Sequence, residues 1–312
     1  MLWCAVIVAA GTGSRFGRPK QLLEIAGAPM VSWSIHTFAR MPEIADIVVV
    51  TETDLLGPVQ SIASQAAGEK CAAVVSGGAT RQESVYAGIC QAPERSRGIL
   101  VHDGARPLVR ANDVREGMRL VRDGVAAVLA APVVDTIKEV DRTTKAIRRT
   151  LDRTLLWAAQ TPQLATARDL LRAHNEARHD GVAATDDAML LERSAVDVFA
   201  VESSPENFKV TIPEDMIRAD HLMRRRVEHA PNEEEVLFVE VFADEALADA
   251  LCTEFERRGG TVDGVDRDLP SGVAVRAYIA SQAFAGFGQR FESIQTGDAT
   301  FTTRFSHWAE RT

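Results

Sequence analysis

Strand-length apolar runs alternate with helically spaced segments through the first two thirds of the chain. No other feature of the sequence limits the fold as much. Apolar runs recur at Cys4–Ala10, Ile47–Thr51, Ala72–Val75, Gly98–His102, Ala126–Pro132 and Val196–Val201. Between them, residues 29–40 place Met30, Trp33, Ile35 and Phe38 largely on one helical face, and residues 83–91 and 113–122 behave similarly. Unbroken apolar strands joined by amphipathic helices predict an α/β fold with a doubly wound, mostly parallel sheet covered on both faces. Such sheets bind ligands beyond the carboxyl ends of their strands, so the loops after the strands are where chemistry belongs.

A break follows near residues 226–235, where RVEHAPNEEE sets a proline, an asparagine and three glutamates after a helix ending in three arginines. The reading is a domain over 1–228, a linker over 229–234 and a small domain over 235–312. Before residue 231 there are 28 Lys and Arg against 29 Asp and Glu, net −1; after it there are 7 Arg, no Lys and 15 acids, net −8. The tail's order of strand, helix, strand, strand, helix, strand is that of a ferredoxin-like α+β module. The net charge of −9 argues against a nucleic-acid coat or an anionic-membrane binder. Cys4, Cys71, Cys90 and Cys252 form no C-x-x-C pair, which fits reduced thiols in a cytoplasmic protein. No apolar run approaches the roughly 20 residues that span a bilayer.

The first strand runs into Gly11-Thr12-Gly13, with Arg15 and Lys20 close behind. Glycines let backbone N–H groups approach a polyphosphate, and the two cations can hold its oxygens. The loop is not a P-loop, because Gly17 and Arg18 stand where lysine and a hydroxyl are needed. It is not a dinucleotide fingerprint, because Phe16 replaces the third glycine. Small residues in Ser76–Ser84, after the third strand, can admit a flat base. Asp103, after the fourth strand, suits a divalent metal or a sugar hydroxyl, and Arg106 suits a phosphate.

The motifs AAGTGSRFGRPKQ, GGATRQES, VHDGARP, VDTIK, LDRTLLWAAQTPQ, ATDDA and NFKVTIPED follow one another in a single order. Over residues 1 to about 226 the chain resembles the 2-C-methyl-D-erythritol 4-phosphate cytidylyltransferases of non-mevalonate isoprenoid synthesis. The resemblance implies a Rossmann-like nucleotidyltransferase fold and transfer of CMP from CTP to a polyol phosphate, with Mg²⁺ assisting. It implies that Arg15 and Lys20 stabilise the transition state. Ala9, Ala10, Gly11, Gly13, Gly78, Ala79, Ser84, Asp103 and Ala105 would bind CTP. Asp103, Arg106, Thr136, Arg153, Thr185 and Lys209 would bind the acceptor, with Asp103 as a metal contact. It further implies a β-arm over about 134–157 that carries Thr136 and Arg153 into the partner's site of a homodimer. From the residues alone, that arm is a solvated basic hairpin with a turn near Arg142–Thr144.

The spacing RFGRPK is about two residues shorter than the family pattern. A cytidylyltransferase for another polyol phosphate, such as ribitol 5-phosphate, is the neighbouring reading; DTIK and TDDA favour the methylerythritol branch. A non-catalytic binding protein on the same fold is the alternative of another class, opposed by the intact cations. The tail, through FERRGG and GFGQRFESIQTGDATFTTRFSHW, resembles the last domain of elongation factor G. Its acidity argues against RNA and for protein contact or support of oligomerisation.

Overall fold

The computed structural model describes residues 1–11, 16–229, 233–269, 272–284, 287, 291 and 299–310. Gly13 and Arg15 therefore lie outside the described residues. The chain divides into two compact units, Met1–Met223 and Arg224–Thr312.

In the first unit, β1 (Trp3–Val8) leads through a short β2–β3 ribbon (Glu24–Ile25, Ala28–Pro29) into α1 (Met30–Ala39). Then come β4 (Ile44–Thr51), α2 (Leu56–Ala67), β5 (Cys71–Ser76), α3 (Arg81–Ile89), β6 (Gly98–Asp103), α4 (Ala111–Leu120) and β7 (Val125–Pro132). A two-stranded hairpin of β8 (Lys138–Val140) and β9 (Ile147–Thr150) precedes β10 (Trp157–Thr166), α5 (Ala167–His179), α6 (Asp187–Arg193), β11 (Asp197–Glu202) and α7 (Pro213–His229). The sheet order is β11-β7-β10-β6-β1-β4-β5. From β1 the chain winds outward through β4 and β5, then returns to β6 on the other side. The topological switch point thus falls at β1 and β6, whose ends align with Val8 opposite Asp103.

Both sheet faces are buried, as the unbroken apolar runs require. Ala5, Ile7 and Val49 pack into one core with Ile35 and Phe38 of α1. Cys4, Val6 and Val50 pack into another with Val85 of α3 and Leu170 of α5. On α1, Trp33 is only partly buried and donates its indole N–H to the Ile25 carbonyl at 2.7 Å, while Ser34 joins the buried face. The sheet departs from a purely parallel plan at β10, which runs antiparallel to both β6 and β7. In the hairpin, Asp141 accepts from the backbone N–H groups of Thr143 and Thr144 at 2.9 Å and so builds the turn.

The second unit comprises β12 (Glu233–Ala243), α8 (Ala248–Arg257), β13 (Thr261–Leu269), β14 (Gly272–Ala280), α9 (Ser281–Phe284) and β15 (Thr300–Glu310). Its sheet order, β13-β14-β12-β15 with every pairing antiparallel, is the ferredoxin-like arrangement. Val239, Val241, Val275 and Ile279 on one face meet Leu251 and Phe255 of α8. Phe287 stacks between Phe255 and Phe291. The second helix of the expected order falls partly outside the described residues.

Candidate active site

A cleft of about 320 Å³ opens at the switch point, between the ends of β1 and β6 and the loop after β5. Backbone bonds carry the strands' pairing into its walls: Gly104 N–H donates to the Val8 carbonyl at 2.8 Å, and Gly77 N–H to the Thr51 carbonyl at 2.8 Å. Gly77 is required by space. A Cβ there would lie 2.6 Å from both the Ala10 Cβ and the Ser84 Oγ. The loop is fixed by the start of α3. Thr80 Oγ1 accepts the Glu83 N–H at 3.1 Å and Glu83 Oε2 accepts the Thr80 N–H at 3.3 Å, a capping box, while the same Oε2 also accepts the Ala79 N–H at 2.7 Å. Ser84 Oγ accepts from Gly78 N–H at 3.1 Å and donates to the Thr80 carbonyl at 2.9 Å. The result is a rigid wall of small residues facing the end of β1.

Opposite lies a charged floor centred on Asp103, which is only 6% exposed. Lys209 Nζ reaches its Oδ2 at 2.8 Å, Arg81 Nε its Oδ1 at 3.2 Å, and Arg106 Nε lies 3.8 Å from Oδ2. Burial alone would raise the Asp103 carboxyl; Arg81, Lys209 and Arg106 together outweigh burial and hold it well below the usual carboxylate range. Arg81 also bonds Asp187 Oδ2 at 2.9 Å, and Asp187 Oδ1 meets His174 Nε2 at 3.0 Å, both of these partners being buried. Arg81 therefore stands on a buried acid at each end and cannot swing freely. Lys20 Nζ donates to the Val210 carbonyl at 2.9 Å, next to Lys209.

Behind Asp103 the backbone is held by a relay of neutral groups. Asp103 N–H donates to Thr161 Oγ1 at 3.0 Å, and the Thr161 hydroxyl meets His102 Nδ1 at 3.1 Å. His102 Nε2 faces the Arg106 carbonyl at 3.1 Å. With Thr161 donating to Nδ1, the proton on Nε2 serves Arg106, which is the neutral imidazole. Burial pushes its pKa down from 6.5 to about 4.

Of the residues singled out from sequence, Ala9, Ala10, Gly11, Lys20, Gly78, Ala79, Ser84, Asp103, Ala105 and Lys209 line this one cleft. Arg106 supports it from behind, its guanidinium donating to the Asn207 carbonyl at 2.7 Å. Thr185 is exposed just ahead of α6 and does not line it. Thr136 and Arg153 are exposed beside the hairpin, Arg153 donating to the Val134 carbonyl, and neither lines the cleft. Arg81, Asp187 and His174 were missed. Arg81 sits inside GGATRQES, but an arginine opening a helix reads as solvated, and its acid at position 187 is visible only in the fold. No group of three His, Cys, Asp or Glu side chains that could hold a metal occurs among the described residues. Both oxygens of Asp103 are already committed to cations.

A doubly wound sheet whose switch point joins a small-residue wall to a floor of paired cations is suited to a nucleotide and its phosphates. Comparison with known proteins narrows the class. Residues 3–225 match the family model of 2-C-methyl-D-erythritol 4-phosphate cytidylyltransferase, and the chain belongs to that family. The enzyme of that name from Desulforamulus reducens is 40% identical over 225 residues, 71% of this chain and 96% of the relative. The one from Dictyoglomus thermophilum is 36% identical over 221 residues, 70% of this chain and 96% of the relative. Among solved structures, the Thermus thermophilus enzyme superposes with a TM-score of 0.58 at 30% identity, covering 70% of this chain and 98% of that one. The 4-diphosphocytidyl-2C-methyl-D-erythritol synthase of Anaerococcus prevotii reaches a TM-score of 0.64 at 26% identity, covering 72% and 96%. Residues 233–312 match the model of the elongation factor G C-terminus.

Proposed function

We propose that this cleft transfers the cytidylyl group of CTP to 2-C-methyl-D-erythritol 4-phosphate and releases pyrophosphate. The observation that carries the reading is the meeting of Lys20, Arg81 and Lys209 with the Ala9–Gly11 and Gly78–Ala79 backbones in one cleft, in a chain of this family. A phosphate oxygen of the acceptor attacks the α-phosphorus of CTP. A new P–O–P bond forms, the bond to the β-phosphate oxygen breaks, and pyrophosphate leaves with the electron pair. The nucleophile is already an anion, so no general base is needed. The protein's work is to position the reactants and neutralise charge on the transferring oxygens. Lys20, with Arg15, does so at the α-phosphate. Ala9, Ala10 and Gly11, with Gly78, Ala79 and Ser84, enclose cytosine and ribose, and Gly13 belongs to the same set of CTP-binding residues. Asp103 and Ala105 border the nucleotide. Lys209 and Asp103 hold the acceptor within the cleft; Arg106 and Thr185, which do not line it, are assigned to the acceptor by family resemblance alone. Mg²⁺ enters as part of the substrate, on the phosphates of CTP; the committed oxygens of Asp103 do not fit a metal site built by the protein.

Thr136 and Arg153 serve the cleft of a second copy, in a homodimer joined through the arm. Val134 (76% exposed), Ile147 (63%) and Leu155 (78%) support this, because they leave an apolar surface around the hairpin that water alone would cover. In the Arg153→Ala variant, KM for the acceptor rises about tenfold while KM for CTP stays put; equal losses for both would remove the arm from the acceptor site. The protein is placed in the cytoplasm, a reading supported by four unpaired cysteines and by the lack, among the described residues, of a helix long and apolar enough to cross a membrane. The C-terminal unit is assigned to protein contact or support of oligomerisation. The test of the reaction is pyrophosphate release with CTP and Mg²⁺ against methylerythritol phosphate, ribitol 5-phosphate and no acceptor. Preference for ribitol 5-phosphate keeps the mechanism and moves the substrate; silence with all three returns the chain to a binding role.

A further inference from the structure

Gln21 follows Lys20 in the 3-10 turn Lys20–Leu22 and lines the cleft, yet it is only 3% exposed. Neither its Nε2 nor its Oε1 has a hydrogen-bond partner. A buried amide with no partner destabilises the fold it sits in, and native proteins rarely keep one without a use. Its surroundings make the vacancy specific. Among the described residues lining the cleft Gln21 is the only carboxamide, and the charged side chains there are Lys20, Arg81, Asp103 and Lys209.

We infer that Gln21 is a specificity-determining residue whose amide pairs with a hydroxyl of the substrate. A phosphate offers only acceptors and would leave Oε1 empty. A hydroxyl both donates and accepts, and a pair of neighbouring hydroxyls satisfies Oε1 and Nε2 together. Two parts of the proposed substrates carry such groups, the carbon chain of the polyol phosphate and the ribose of CTP. The geometry favours the polyol. Gln21 is tethered through Lys20 to the Val210 carbonyl, and Val210 adjoins Lys209, which grips Asp103. That is the acceptor end of the cleft. The inference rests on the reaction proposed above.

The experiment is steady-state kinetics and thermal melting of Gln21→Met, similar in volume but without the amide, beside Gln21→Asn, which keeps a shorter one. The expected result is a melting temperature no lower than that of the parent, since an unpaired amide is replaced by an apolar group. KM for the polyol phosphate rises about tenfold with kcat within about twofold. In the parent enzyme, an acceptor analogue lacking one hydroxyl shows a similar penalty, and the two losses are not additive when combined. A rise in KM for CTP that vanishes with 2′-deoxy-CTP keeps the hydroxyl contact and assigns it to the ribose. Unchanged KM for both substrates in the folded variants overturns the inference while the parent still turns over. A parent with no cytidylyl transfer removes the proposed reaction and this contact with it.

Discussion

Both units contain an acid held far below its ordinary pKa by arginines, and they arrive there by different routes. In the C-terminal unit Glu254 meets Arg257 and Arg258, three and four residues along the same stretch, and they bring it from 4.5 to about 2, Arg257 contributing most. In the N-terminal unit Asp103 is approached by Arg81 from α3, by Arg106 from the loop after β6 and by Lys209 from beyond β11. The first cluster is local in sequence, at the end of one helix. The second exists only when the sheet has brought distant segments to one point, and it then costs desolvation that only a complete set of partners offsets. Burial does not separate the two acids, Glu254 being 5% exposed and Asp103 6%; what separates them is how far along the chain their partners lie.

The sharpest attempt to break this contrast is a matched pair of substitutions. Asp103→Asn leaves three cations facing a neutral amide in the interior and should cost about 3–5 kcal/mol of stability, read as a drop in Tm. Glu254→Gln should cost distinctly less. Equal losses would mean that convergence carries no special energetic signature here. Next in size, Lys20→Ala should lower kcat by about 100-fold with the fold intact, as removal of one charge acting on the transition state does. An unchanged kcat would separate the cationic cleft from the chemistry.

A third test uses acid. His102 is buried neutral, its pKa lowered from 6.5 to about 4. Between those values the unfolded chain takes up a proton that the folded one refuses. The stabilisation is therefore complete above pH 6.5 and is lost as the pH falls toward 4. Below 3.8 the depressed carboxyls of Asp103 and Asp187 extend the loss. Tm should fall by about 10 °C over the His102 window, and His102→Gln should flatten that slope. The smallest effect should come from ending the chain after His229, where α7 stops. Its kcat should stay within about twofold of the parent; a folded but inactive truncation would tie the ferredoxin-like unit to catalysis.

Much of this was legible because it depends on local pattern. The apolar runs gave β1, β4, β6 and β7, and the glycines and cations after β1, β5 and β6 pointed to the cleft. β10 was not legible as a strand. Gln160, Thr161, Pro162 and Gln163 interrupt its apolar character, and three of them find their reason only in place: Gln163 Oε1 accepts the N–H groups of Asp187 and Ala188 at 2.8 Å, Thr161 serves Asp103, and Gln160 Oε1 accepts from Asn207 Nδ2 at 2.9 Å. Arg81 and Gln21 escaped for a related reason. A polar residue in a loop reads as solvated unless the fold is known to close over it. The ferredoxin-like order was readable because its strands and α8 are joined by short connections and keep their own periodicities.

The charged floor has a consequence for how fast the enzyme finds its nucleotide. Lys20, Arg81, Arg106 and Lys209 outnumber Asp103 and Asp187, so the cleft is cationic within a chain of net charge −9. A polyanion drifting toward this protein is repelled chiefly by the acidic C-terminal unit, net −8 after residue 231, and drawn to the cleft of a unit that is nearly neutral overall. Added salt screens both fields, but the attraction at the mouth governs productive encounters. Rising ionic strength should therefore slow capture and leave the bound complex to react at its usual pace.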